Sequence, residues 1–292
     1  MSSSAIVRFA TLLGVFALAI VLYARLESGA TAAASITRQV VESSTTTAPP
    51  VPEVEVVSPD AGATIAPPVP RPWTLLQEPA NPQPLPEQLL DRRLESVDVL
   101  APPIDDTFVS SVQSPPPQEV IDRSSWEPDC PVGPVDLSYV QVSFFGFDGK
   151  FHTGELLVAA TYADQIVDIF DRLHELRFPI EQMIIVSRDD FGNPSNAYTN
   201  NTSSFECRRS VTSGRWSRHA FGDAIDINPF HNPYVSNGIV IPALAEAYAD
   251  REREVPGLIT TEITQMFADI GWGWGGNWNS IKDWMHFSAT GT

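Results

Sequence analysis

Cysteine and lysine are almost missing from this chain: two of the first, Cys130 and Cys207, and two of the second, Lys150 and Lys282, in 292 residues. Two cysteines exclude a cysteine-rich metal site, and in an exported protein a single pair is most simply one disulfide, Cys130 to Cys207. The formal net charge of -18 and the lack of a basic stripe leave little to follow a phosphate backbone, so nucleic acid is not an expected partner. The acidity is shared, with 7 basic and 17 acidic groups over 1–136 and 11 and 19 over 137–292. No internal repeat is evident. An apolar run over 9–24, sixteen residues broken only by Thr11 and Gly14, falls short of the about 20 residues of a comfortable membrane span.

What is present divides the chain into three. Arg8 and Arg25 bracket the apolar run and Ala32, Ala33 and Ala34 follow it, so 1–34 reads as an export signal, with cleaved signal peptide and uncleaved membrane anchor both open. Either fate places the rest outside the cytoplasmic membrane, secreted or membrane-anchored. Twenty of the 26 prolines lie between Pro49 and Pro134, with serine and threonine runs and scattered acids, so 35–128 reads as a disordered, acidic, proline-rich linker, with helix-like content only over 87–99. A folded domain is expected over 129–292, large enough for one core.

Inside it, alternation over 139–145 predicts a strand ending at Gly146, extended by or paired with Leu156, Leu157 and Val158. Ile166, Val167, Ile169, Phe170, Leu173 and Leu176 recur at helical spacing and predict a helix over 163–176. A short strand over 183–186 and a polar loop over 189–204 follow, the loop long enough to suggest function. Helices are expected over 241–253 and 260–270, the second capped by Thr260 or Thr261 and stopped by Gly271. Four glycines interleaved with Trp272, Trp274 and Trp278 predict a close-packed loop lining a cleft, and the chain closes on a strand containing His286.

The chemistry concentrates in two stretches. His219 and Asp226 in the first and His286 in the second make an imidazole and carboxylate set of three, which suits catalytic zinc with a fourth position left for water. A period of two puts Ala224, Asp226 and Asn228 on one strand face and Ile225 and Ile227 on the other; likewise Trp284 and His286 should share a face. Asp283, three residues before His286, is placed to take a proton from water and return it to a leaving amine, or else to orient a ligand histidine. Peptide attack develops an oxyanion, for which Arg208 is preferred over Arg209, Arg215 and Arg218 because it adjoins Cys207. His152, His174 and His231 read as structural, with His152 also the one to test as a substrate contact, alongside Ser217 and Trp284.

Ser217-x-His219-x-x-Gly222-x-Ala224-x-Asp226 followed by Asp283-x-x-His286 resembles peptidase family M15, the D-alanyl-D-alanine carboxypeptidases of the VanY type and related L-alanyl-D-glutamate endopeptidases. The resemblance covers roughly 130–292. It implies a small α+β fold, an antiparallel sheet with helices in the outline shared with hedgehog-type domains. It also implies Zn2+ on His219, Asp226 and His286, catalysis by Asp283, an upstream arginine such as Arg208 on the substrate, and hydrolysis of peptidoglycan stem peptides by metal-activated water. Carboxypeptidase members often carry Glu where this chain has Asp283, whereas several endopeptidases carry Asp, so the scissile bond is open. The rival from another class is a non-catalytic zinc-containing module that binds cell wall or protein.

Overall fold

The computed structural model describes residues 90–190, 198–210 and 213–292. The expected export segment and the linker up to residue 89 lie outside the described residues. Among the described residues, no helix is long and apolar enough to cross a membrane.

The architecture is mixed helix and antiparallel sheet, in line with the α+β expectation. Its largest sheet runs β1 (Ser110–Gln113), β2 (Leu137–Gly146) and β3 (Phe151–Ala159), with β4 (Pro179–Ile180) parallel to β2. β2 and β3 pair in register from Leu137↔Ala159 to Phe145↔Phe151. The alternation read over 139–145 does not give one wet face, because β2 is covered on both sides. Val140, Val142 and Phe144 enter the main core with the Ala163–Glu175 helix, while Leu137 and Tyr139 join Val120, Ile121 and Phe205 on the other face. That helix stops where Arg177 turns into the left-handed region (φ 49), leaving Leu176 as an exposed cap rather than a core residue.

Two expectations fail for local reasons. Residues 183–186 form no ladder, since side chains take their backbone bonds: Ile184 N–H donates to Asn201 Oδ1, Asn201 Nδ2 to Ile184 O, and Ile185 N–H to Glu155 Oε1. Residues 241–253 are not one helix. Ile241 belongs to β7 (Ile239–Ile241), extended before Pro242, and only a 3-10 helix, Ala243–Tyr248, follows. The other predicted helix is Thr261–Asp269, with Thr260 as its cap, accepting from Ile263 N–H, and Gly271 at φ 82 after it.

The linker expectation over 35–128 is corrected from residue 90 onward. β1 pairs along β2 from Ser110↔Val142 to Gln113↔Tyr139, and the Gln118–Arg123 helix buries Val120 and Ile121. Residues 90–99 carry no helix beyond Leu90, but they are anchored. Arg92 is 1% exposed, donates from Nε and Nη2 to the two oxygens of Glu181 at 2.7 Å each, and lies 4.2 Å from the Phe230 ring centroid. A proline-rich composition concealed this, because one buried guanidinium and Leu94 anchor the segment without any periodic apolar face. Replacing Arg92 by Ala removes the cation that faces the buried Glu181 carboxylate, to which Asn200 Nδ2 also donates. The expected loss is about 3–5 kcal/mol, measured as a lower midpoint in urea unfolding of the full chain; an unchanged midpoint would return residues 90–99 to the linker.

Candidate metal centre

Two short strands bring the distant stretches together. β5 (Ala224–Asp226) pairs antiparallel with β10 (His286–Ser288), and the register sets His286 directly opposite Asp226. β8 (Gly273–Trp274) completes this sheet on the far side of β10. Ile225, Ile227 and Phe287 face the core, which leaves Asp226 and His286 on the other face. His219 arrives from the 3-10 turn Arg218–Phe221, which Gly222 ends in the left-handed region at φ 70. A Cβ on Gly222 would come within 2.6 Å of the Ala159 backbone nitrogen, whose N–H donates to Gly222 O, so glycine is needed for this turn to dock on β3.

The expected alternation is cut short at both ends. Asn228 has left the strand (φ 44) and donates to Pro179 O and Gly257 O, away from Asp226. Trp284 lies in the turn between β9 (Ile281–Asp283) and β10, so it does not share a strand face with His286.

His219 Nε2, His286 Nδ1 and Asp226 Oδ1 stand 3.1, 3.0 and 3.2 Å apart in a nearly equilateral triangle. All three residues are buried, and their donor atoms form a group able to hold a metal ion. The other ring nitrogens face backbone oxygens, His219 Nδ1 toward Ser204 O at 2.6 Å and His286 Nε2 toward Thr292 O at 3.4 Å. In the neutral rings those nitrogens carry the protons, and three lone pairs then converge on one point. A tetrahedral ion with bonds of about 2.0–2.1 Å spaces its ligand atoms by about 3.3 Å. The residues therefore fit a small cation of the zinc type.

The electrostatics agree with a site built for a cation. Burial works to raise the Asp226 carboxyl, but His219 and His286 outweigh it and hold the group far below the usual carboxylate range. Burial likewise works to lower His219, and the Asp226 charge overcomes it and raises the imidazole. Asp283 is pushed the other way, to about 6, first by burial and then by the Asp226 charge. Its Oδ1 is occluded and, among the described residues, has no hydrogen-bond partner. Gly275 packs its backbone against this residue, where a Cβ would lie 2.6 Å from Asp283 O. The Gly/Trp stretch therefore does pack closely, and it walls the acid rather than forming an open aromatic face.

The remaining candidates separate. Arg208 is partly exposed, beside Glu206, and its guanidinium feels both Asp226 and Asp283. Cys130 and Cys207 are joined in a disulfide just before it. Ser217 sits at the start of the His219 turn and donates its N–H to Arg208 O. Trp284 packs on Trp274, with ring centroids 5.3 Å apart, and under Arg251. His152 is corrected: it is 3% exposed, with its two ring nitrogens against Asp98 at 2.8 Å and Asp148 at 3.0 Å, so it has no free edge for substrate. His174 stacks on Phe151, and burial takes His231 down to about 3; both are packing residues.

Sequence reasoning missed Ser203, Ser204 and Glu206. Ser203 and Asp226 exchange backbone hydrogen bonds at 3.0 and 2.9 Å, and Ser204 O holds the His219 ring. Glu206 carried a readable signal, since in an extended stretch residues 206 and 208 flank Cys207 on one side.

A buried His–Asp–His triangle with an acid in electrostatic reach is the donor set of a metallopeptidase. In keeping with that class, a family model described as D-alanyl-D-alanine carboxypeptidase matches residues 211–289, so this stretch is similar to the M15 peptidases. No curated protein and no solved structure matches the chain.

Metal binding needs a neutral His219 ring, and the Asp226 charge raises this imidazole in the metal-free protein, so protons compete with the ion. Zinc affinity should therefore rise with pH until His219 is neutral, with proton release visible when calorimetry is repeated in buffers of different ionisation enthalpy. His219→Ala or His286→Ala should reduce bound zinc from about one per chain toward zero; a pH-independent affinity or a retained ion would exclude this triangle as the site.

Proposed function

We propose that this protein is a zinc peptidase that hydrolyses peptidoglycan stem peptides outside the cytoplasmic membrane. One observation carries the reading: within the M15 stretch, three lone pairs converge from His219, Asp226 and His286, and an acid with an unpartnered, occluded oxygen lies in their field. Zinc held by those three residues would polarise the scissile carbonyl and acidify water. His219 and His286 are kept in position for that ion by Ser204 O and Thr292 O, so each ring offers one fixed nitrogen.

Asp283 is the base. Its carboxylate accepts a proton from the attacking water and gives it to the leaving amine, a reversal that suits a carboxyl raised to about 6. Arg208 offers a cation to the developing oxyanion or to a carboxylate of the substrate. Ser217, whose N–H donates to Arg208 O, and Trp284, in the turn between Asp283 and His286, are the candidate substrate contacts of this reading. Both D-alanyl-D-alanine carboxypeptidase and L,D-endopeptidase chemistry are compatible with this set. Arg8, the apolar run and the proline-rich stretch support export, with the N-terminal segment holding the enzyme at the membrane if it is not removed.

Purified muropeptides incubated with the zinc-loaded protein should give new masses, showing loss of a terminal D-alanine or an internal cut. Asp283→Ala should lower kcat about 10²–10⁴-fold with zinc content unchanged. A zinc-loaded protein that cuts nothing in a broad panel would instead be a binding module. The sign of the pH dependence follows from the base. Protonated Asp283 cannot accept a proton, so kcat/KM falls as pH drops through its pKa. In the metal-free protein that pKa is about 6, and bound zinc shifts it downward. Carboxyl NMR titrations of the two forms check both the value and the direction.

A further inference from the structure

We propose that Glu206 is a positioning residue for Arg208. It grips the guanidinium by its Nε edge, so that Nη1 and Nη2 are left to bind the carboxylate or oxyanion of a substrate at the metal ligands. The inference rests on the peptidase reading of the site and names the element that makes its arginine usable.

Arg208 is a flexible side chain in a difficult field. Asp226 and Asp283 both attract it, and an arginine collapsed onto either would occupy a metal ligand or the base. Glu206 prevents this as the nearest carboxylate: Oε2 accepts from Arg208 Nε at 2.5 Å, while Oε1 accepts from Ser203 Oγ at 3.0 Å. Glu206 is itself fastened to the site, because its N–H donates to His219 O at 3.2 Å. On the other side, Arg208 N–H donates to Glu206 O at 2.8 Å, and the intervening Cys207 is fixed by its disulfide. Backbone and side chain are thus held independently.

What Glu206 leaves free is as informative as what it takes. The contact is through Nε alone, and among the described residues neither Nη1 nor Nη2 has a hydrogen-bond partner. The side chain is 34% exposed, so the terminal nitrogens reach open space. Four N–H groups on a planar fork suit a second, bidentate oxyanion. Glu206 also offsets the arginine's charge, so a ligand carboxylate would bind through directed hydrogen bonds and not through a bare positive field.

A double-mutant cycle over Glu206 and Arg208 in the zinc-loaded full chain tests this, read by kinetics and by the Arg208 side-chain Nε–H resonance. Glu206→Ala should shift that resonance and speed its exchange, with zinc content unchanged. It should also lower kcat/KM about tenfold and weaken inhibition by free D-alanine, a small carboxylate probe. Glu206→Gln, which keeps an acceptor, should recover part of the loss, and it replaces the alanine variant in the cycle if that variant does not fold. In the Arg208→Ala background the Glu206 substitution should have no further effect. An unchanged Nε–H resonance, or an equal loss in both backgrounds, overturns the proposal. If the wild-type protein cuts no muropeptide, the peptidase reading fails, while the resonance and the D-alanine affinity still decide whether Glu206 holds Arg208.

Discussion

The pairing of β5 with β10 is the constraint on which the rest of this structure depends. Only three residue pairs form that ladder, yet one of them is His286↔Asp226, which joins stretches sixty residues apart. A slip of one residue would turn Asp226 into the core and Ile225 toward the imidazoles. The register is protected by what lies behind it: Ile225, Ile227 and Phe287 are fully buried, and Phe287 stacks on Phe267 with centroids 3.9 Å apart. The hydrophobic face therefore sets the geometry of the polar one.

Around that ladder the structure supplies a second set of supports, mostly backbone oxygens. Ser204 O and Thr292 O orient the two imidazoles, and the Ser203–Asp226 hydrogen bonds hold the other edge of β5. Asp283 belongs to a different three-stranded sheet, β7–β6–β9, where β6 is Tyr234–Ser236 and Tyr234 lies opposite Asp283. The acid and the ligand three residues later thus stand on separate sheets joined by the Trp284–Met285 turn. This separation allows burial to raise the acid while the histidines hold Asp226 ionised: two carboxylates in one site with opposite protonation tendencies.

Much of the site was legible because its chemistry is carried by residue types at fixed spacing. His219, Asp226, Asp283 and His286 needed only a motif, and the Cys130–Cys207 link needed only a count of two. His152 misled as a candidate contact, because a histidine after an aromatic residue and two before a glycine looks the same whether it faces a cleft or two carboxylates. The missed supports, Ser203, Ser204 and Glu206, act through carbonyls and a short ion pair, and of the three only Glu206 had a local sign, its place beside Cys207 on the side of residue 208. The fold behaved alike. The 163–176 and 260–270 helices were readable from periodicity, whereas 183–186 lost its strand to side-chain acceptors that come from Glu155 and Asn201.

The sequence by itself determined the donor set, the acid, the single disulfide and the two amphipathic helices, since local spacing and residue chemistry suffice for each. Tertiary structure alone decided where the domain starts. Arg92 enters the core only because Glu181, 89 residues away, is there to receive it, and a proline-rich stretch gives no local sign of a distant partner. It also set Arg208, which the sequence had preferred for adjoining Cys207, apart from its neighbours by its surroundings. Four arginines lie between Cys207 and His219, and their types are identical; Arg208 is singled out by Glu206 and by the fields of Asp226 and Asp283, which exist only once the chain has folded.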